Sequence, residues 1–200
     1  MRVFSHRVNT VKELLSTDRS FGVEVDLRAG PEGRIILAHD PFVDGEDFSE
    51  YLKSFSHNGI ILNIKCDGIE RSVIEILEKH KITDYLFLDT SLPTFYDISS
   101  KGNNRFFVRY SSIEPLELAV TNSQLASWVW VDCFEDLILT KQNVSIIKKH
   151  GLKICLVSPE LHGREDSVKD FIEKLQANNL KIDAVCTKSK FISSWSQLSY

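Results

Sequence analysis

Short apolar runs alternate with stretches whose apolar residues fall three and four positions apart, from one end of the chain to the other. Runs of this kind read as buried strands, and the stretches between them as amphipathic helices. Val3–His6 is the first strand. A helix capped by Asn9 or Thr10 follows, with Val11, Leu14 and Leu15 on one face. Phe21–His39 holds two strands around a Gly-Pro-x-Gly turn at Gly30, Pro31 and Gly33. Asp47 caps a short helix carrying Phe48, Tyr51, Leu52 and Phe55. Ile60–Lys65 is almost entirely apolar, which predicts a strand covered on both faces. Further strands are predicted at Tyr85–Leu88, Phe106–Arg109, Trp128–Val131, Lys153–Val157 and Ala184–Cys186. The intervening helices run through Ile69 to Leu77, from Pro93 to Ser99, over part of Glu114 to Gln124, and from Thr140 to His150 with Gly151 just past the end. Val168, Phe171, Ile172 and Leu175 form another helical stripe, and Phe191–Leu198 closes the chain as a helix.

With Ile35–Ala38 taken as an accessory to the second unit, eight strand–helix units remain. That count predicts an α/β fold, a compact (β/α)8 TIM barrel, rather than an open doubly wound sheet. Two hundred residues, 42% of them hydrophobic, suffice for one sizeable core, so residues 1–200 are expected to form a single domain. Lys and Arg number 24 against 28 Asp and Glu, a net charge of -4, which offers no electrostatic footprint for nucleic acid. No apolar run approaches the roughly 20 residues that span a bilayer. The first strand begins at Arg2, where a signal peptide would need its apolar region. Cys66, Cys133, Cys155 and Cys186 lie in or beside separate apolar runs without a C-x-x-C pair, as expected of reduced thiols in a cytoplasmic protein.

One strand departs from the apolar pattern in an informative way. In Val23-Glu24-Val25-Asp26-Leu27 the period of two puts Glu24 and Asp26 on the same face. Like charges that close are unfavourable unless something positive lies between them. His39-Asp40 ends the adjacent strand, and His6-Arg7 ends the first. Strand ends elsewhere carry Asn63, Lys65, Asp89, Arg109, Asp132 and Thr187-Lys188, with Glu160 just beyond another. In a barrel these ends converge on one rim.

The ordered set His6-Arg7, Glu24-Val25-Asp26 and His39-Asp40 resembles the glycerophosphodiester phosphodiesterase family, within the phospholipase-C-like phosphodiesterases. The resemblance covers the first third of the chain. It implies a TIM barrel, a divalent metal on the carboxylates, and two histidines, His6 and His39, as acid and base. Glu24 and Asp26 are hard oxygen ligands suited to Mg²⁺ or Ca²⁺, with Asn63 or Asp89 completing the set. Arg7, Lys65 and Arg109 are candidates to hold a phosphate, the arginines by a bidentate fork and the lysine as a point charge. The expected activity is that of a phosphoric diester hydrolase acting on a small phosphodiester of lipid metabolism. The alternative is a barrel that binds a phosphorylated ligand with little or no turnover. Three positions depart from the family pattern. Val8 stands where the family has Gly, and Asn63 stands where it has a metal-binding Glu. The segment between Asp40 and Ile60 has room for only one short helix.

Overall fold

The computed structural model of the chain describes residues 1–198. They form one α/β domain around a curled, mixed sheet. In chain order the elements are β1 (Arg2–Ser5), α1 (Val11–Ser16), β2 (Gly22–Ala29), β3 (Ile35–Leu37), β4 (Glu46–Asp47), α2 (Phe48–Leu52), β5 (Ile60–Ile64), α3 (Glu70–Lys79), β6 (Tyr85–Leu88) and α4 (Leu92–Ser99). They continue with β7 (Phe107–Tyr110), α5 (Leu116–Thr121), β8 (Trp128–Val131), α6 (Lys141–Lys149), β9 (Lys153–Val157), α7 (Ser167–Ala177), β10 (Ala184–Thr187) and α8 (Ile192–Ser196).

β1 lies between β10 and β2, and parallel pairing continues from β2 to β5 to β6 on one side. On the other side it continues from β10 to β9 to β8 to β7. β6 meets the chain ahead of β7 through a single parallel bridge, Phe87 to Phe106. β2 runs long, and β3 folds back antiparallel on its end, as the accessory reading of Ile35–Ala38 expects. The two-residue β4, which no periodicity announces, pairs antiparallel with β3. The last predicted helix divides into a 3₁₀ turn at Ser189–Phe191 and a shorter α8.

Local chemistry fixes several boundaries. Thr10, rather than Asn9, caps α1, and it exchanges bonds with Glu13 in a capping box. Thr140 and Asn143 do the same for α6, and Asp47 accepts from the Glu50 N–H at 3.0 Å to start α2. The alternation along the strands divides the core in two. Val23, Val25, Leu27, Ile60, Leu62 and Ile64 face the helices. Phe4, Ile61, Leu86, Trp128, Cys155 and Cys186 pack inside the curl of the sheet. This inner apolar layer is the floor of the polar site. All four cysteines are free thiols, three of them buried. Among the described residues no helix is long and apolar enough to cross a membrane.

Candidate active site

The inner face turns polar at Glu24 and Asp26 on β2 and at Asn63 on β5. Asp26 and Asn63 are register partners across the parallel pair, so their side chains lie next to each other. All three are buried, Glu24 completely. Backbone geometry supplies the first counterweight. Arg7 adopts a left-handed conformation, φ 56°, just past β1. That bend turns its N–H onto Glu24 Oε2 at 2.7 Å. The next residue, Val8, is accommodated without glycine: its N–H donates to the Glu24 carbonyl at 2.9 Å, and its carbonyl accepts from the buried Tyr51 hydroxyl.

The remaining polar contacts to this pair come from neighbouring elements. Asn63 Nδ2 donates to Glu24 Oε1 at 2.9 Å, and Asn9 Nδ2 donates to Asp26 Oδ2 at 2.9 Å. Asn9, read from the sequence as a possible helix cap, instead clamps Asp26 from both sides, because its Oδ1 also accepts the Asp26 N–H. Lys65 Nζ lies 3.4 Å from Asp26 Oδ1, and Arg7 Nε 3.5 Å from Oδ2. The positive charge that a Glu-x-Asp pair calls for is therefore present, and it sits on Asp26. Glu24 has only neutral donors within hydrogen-bond reach. Burial, reinforced by the charge of Asp26, pushes its carboxyl up to about 7. His6 lies beside it, Nε2 to Oε2 3.7 Å. Burial, followed by the repulsion of Arg7, lowers the imidazole to about 4, so His6 is neutral at physiological pH.

His39 sits at the edge of this cluster. Its ring is partly exposed, and its Nδ1 is 2.7 Å from Asp40 Oδ1. Its backbone is held by Arg28, whose Nε and Nη2 donate to the His39 carbonyl at 3.1 and 2.9 Å. Arg28 Nη1 also donates to the Lys65 carbonyl at 2.8 Å. One guanidinium thus ties together the backbones of two candidate site residues. The sequence contained the signal for it, since Arg28 continues the Glu24, Asp26 face at the next alternate position.

A second charged group follows across β6 to β9. Lys65 links to it through Asp89 Oδ2 at 3.9 Å. Arg109 grips Asp89 with Nε and Nη2, at 2.7 and 3.0 Å, and reaches Asp132 with Nη1. On the far side His162 Nε2 lies 3.1 Å from Asp132 Oδ1, with the Phe134 ring against the imidazole. Asp89 thus meets Arg109 with both oxygens, and Arg109 donates all three nitrogens to carboxylates. His162 was not singled out from the sequence. It lies in a 3₁₀ turn past β9, and neither periodicity nor spacing marks it there. Glu160 belongs to neither group. It is fully buried and accepts from Ser158, the Thr187 hydroxyl and the Lys188 N–H, which braces the end of β10.

The residues present fit a divalent cation by their chemistry. Asn63 Oδ1 is a buried oxygen that receives no hydrogen bond, and Asp26 Oδ1 has only the Lys65 ammonium, 3.4 Å away. Both adjoin Glu24, and all three side chains are hard oxygen donors.

No protein-family model and no curated protein matches this sequence. Solved structures do match its fold. A putative glycerophosphoryl diester phosphodiesterase from Agrobacterium tumefaciens superposes with a TM-score of 0.70 at 16% identity, covering 98% of this chain and 96% of that one. A glycerophosphodiester phosphodiesterase from the same organism gives 0.66 at 14% identity, over 93% and 96% of the two chains. A glycerophosphoryl diester phosphodiesterase from Parabacteroides distasonis gives 0.65 at 13%, over 97% and 86%. The resemblance first carried by His6-Arg7, Glu24-Val25-Asp26 and His39-Asp40 thus extends along nearly the whole chain at the level of structure, and the protein has the fold of glycerophosphodiester phosphodiesterases.

Proposed function

We propose that the protein is a metal-dependent phosphodiester hydrolase of the glycerophosphodiester phosphodiesterase type, built on a (β/α)8 barrel and acting on a small phosphodiester. Its main support is Asn63 Oδ1, a buried oxygen that receives no hydrogen bond, beside Glu24 and Asp26 on a fold shared with such enzymes. Such an acceptor is rare in a folded protein, and an ion or a water satisfies it. Glu24, Asp26 and Asn63 would hold Mg²⁺ or Ca²⁺, and a bound ion would neutralise a non-bridging phosphate oxygen.

This chain's own residues divide the remaining work. Lys65 and Arg7 face the phosphate. Arg109 joins them, and Asp89 joins the metal ligands, when the Arg109–Asp89 pair parts. His6, neutral at pH 7, takes the proton of the attacking water or hydroxyl as its oxygen bonds to phosphorus. His39, with Asp40 on Nδ1, presents Nε2 and gives a proton to the leaving alcohol oxygen as the P–O bond breaks. Four free thiols suit a reducing compartment such as the cytoplasm.

A second reading, a barrel that binds a phosphorylated ligand without turnover, is favoured by Asn63. It stands at the family's carboxylate position, and the described residues include no trio of His, Cys, Asp or Glu placed to hold a metal. Titration calorimetry with Mg²⁺ and Ca²⁺, paired with a hydrolysis assay on glycerophosphodiesters and lysophospholipids, separates the two. The hydrolase reading expects metal binding that Glu24→Gln weakens, together with turnover. Ligand binding without hydrolysis establishes the second reading.

A further inference from the structure

Eight large apolar side chains stand out from the surface among the described residues, and five of them gather at one end of the fold. Phe42 and Val43 lie between β3 and β4, Leu92 follows β6, Ile113 follows β7, and Phe134 follows β8. The last three are on segments leaving the carboxyl ends of parallel strands, the end that carries Asn63, Lys65, Asp89 and Asp132. Asp40, two residues before Phe42, feels the charge of Arg7 at the same mouth. Phe42 is fully exposed and holds a left-handed φ of 62°, a conformation unusual for a bulky residue. Inward from Leu92, a cleft of about 290 Å³ with Phe95, Phe107 and Leu118 in its walls opens beside Asp89 and Arg109.

We infer that these apolar tips dock the mouth of the site onto a zwitterionic phospholipid surface. Exposed apolar groups around a polar mouth mark a contact with a protein or a membrane. The tips occupy four separate segments with acidic residues between them. A stable protein partner needs a continuous face of about 800 Å², whereas a fluid lipid interface closes around separate tips. Charge then selects the lipid. Segments 40–46, 89–92, 111–115 and 133–136 contain seven Asp or Glu and no Lys or Arg; Asp89 is paired with Arg109 and Asp136 with Lys174, and the other five leave the rim with an excess of negative charge. An anionic leaflet repels such a rim, and a choline-bearing surface does not. The docking does not depend on turnover at the site.

Flotation with phosphatidylcholine vesicles tests it. Wild-type protein is expected to float with the vesicles. Phe42→Ser and Ile113→Ser should each lower the partition coefficient about tenfold, equivalent to about 1.4 kcal/mol. Exchanging half of the phosphatidylcholine for phosphatidylglycerol should weaken binding, most of all at low salt. Leu15→Ser, at an exposed leucine on α1, should change nothing. Melting temperatures verify that each variant is folded. Failure to float, equal binding by the Phe42→Ser/Ile113→Ser protein, or tighter binding to phosphatidylglycerol overturns the inference. So does a dimer in sedimentation velocity that the double variant dissolves, because a second copy then covers the tips. A protein that floats as expected yet hydrolyses no phosphodiester upholds the docking and rejects the hydrolase proposal.

Discussion

On the β6 to β9 side of the mouth the charges are matched to one another, whereas on the β1, β2 and β5 side they are left partly open. Arg109 divides its donors between Asp89 and Asp132, and His162 takes the remaining Asp132 oxygen. Beside Glu24, in contrast, Asn63 Oδ1 receives no hydrogen bond, Asp26 Oδ1 has only the Lys65 ammonium 3.4 Å away, and the Glu24 carboxyl is held up to about 7. Matched charges position strands and keep them in place. A buried acceptor without a donor is unfavourable, so a ligand that satisfies it gains free energy. The comparison separates a brace from a binding site although the residue types are nearly the same.

The largest effect that could break this division concerns the histidines. His6→Ala and His39→Ala should each reduce phosphodiester turnover about 10²–10⁴-fold, the usual contribution of a positioned acid or base. His6 and His39 are both partly exposed, so melting temperatures should stay close to wild type. Turnover equal to wild type in both variants would make the histidines structural and erase the distinction between the two sides.

Removing Arg109 comes next. Arg109→Met leaves Asp89 with only Lys65 at 3.9 Å and the buried Asp132 with only His162 at 3.1 Å, at a cost of about 2–3 kcal/mol, below the usual figure for a fully buried pair because Arg109 is partly exposed. For a chain of this size that corresponds to a drop of roughly 5–10 °C in Tm. Lys65→Met should lower turnover and, because Arg7 still faces the buried Asp26, lower Tm by less than Arg109→Met does. An Arg109→Met protein as stable as wild type would mean that the brace lies elsewhere, and a raised KM would show the part that Arg109 takes in holding the phosphate.

The smallest effect sharpens the account of Glu24. Its folded value of about 7 exceeds the ordinary 4.5, so the folded protein binds more protons between those limits. Its contribution to stability is present below pH 4.5 and is lost as the pH rises through 7. With metal chelated, Glu24→Gln should melt like wild type at pH 4.5 and a few degrees higher at pH 8. His6 contributes the opposite slope, losing stability as the pH falls from 6.5 towards 4, so variant and wild type are compared at each pH. Identical melting at both values would place the proton elsewhere.

The strand–helix alternation and the polar face of β2 were legible because both are periodic, and periodicity is written in consecutive residues. Thr10, Asp47 and Thr140 announced their helices through the local geometry of capping. The parts that escaped depend on contacts across the fold. Asn9 reaches Asp26 only because β1 and β2 pair, and His162 reaches Asp132 across 30 residues. Asp89, a candidate metal ligand from its place at a strand end, faces Arg109 because β6 and β7 are neighbours, and no local pattern carries that adjacency. Arg28 could have been found by extending the alternation of Glu24 and Asp26 by one step.

The junction between β6 and β7 has a mechanical meaning. Elsewhere along the parallel path two to five residues pair in register, but here a single bridge, Phe87 to Phe106, joins the two runs. The Phe87 and Phe106 rings stack at 5.1 Å, and Phe95 meets Phe106 edge-on at 5.2 Å. This line is closed by interlocking aromatic shapes more than by a ladder of amides. The Asp89–Arg109 pair straddles it like a clasp. A spreading force on the sheet would meet its fewest backbone hydrogen bonds at that line.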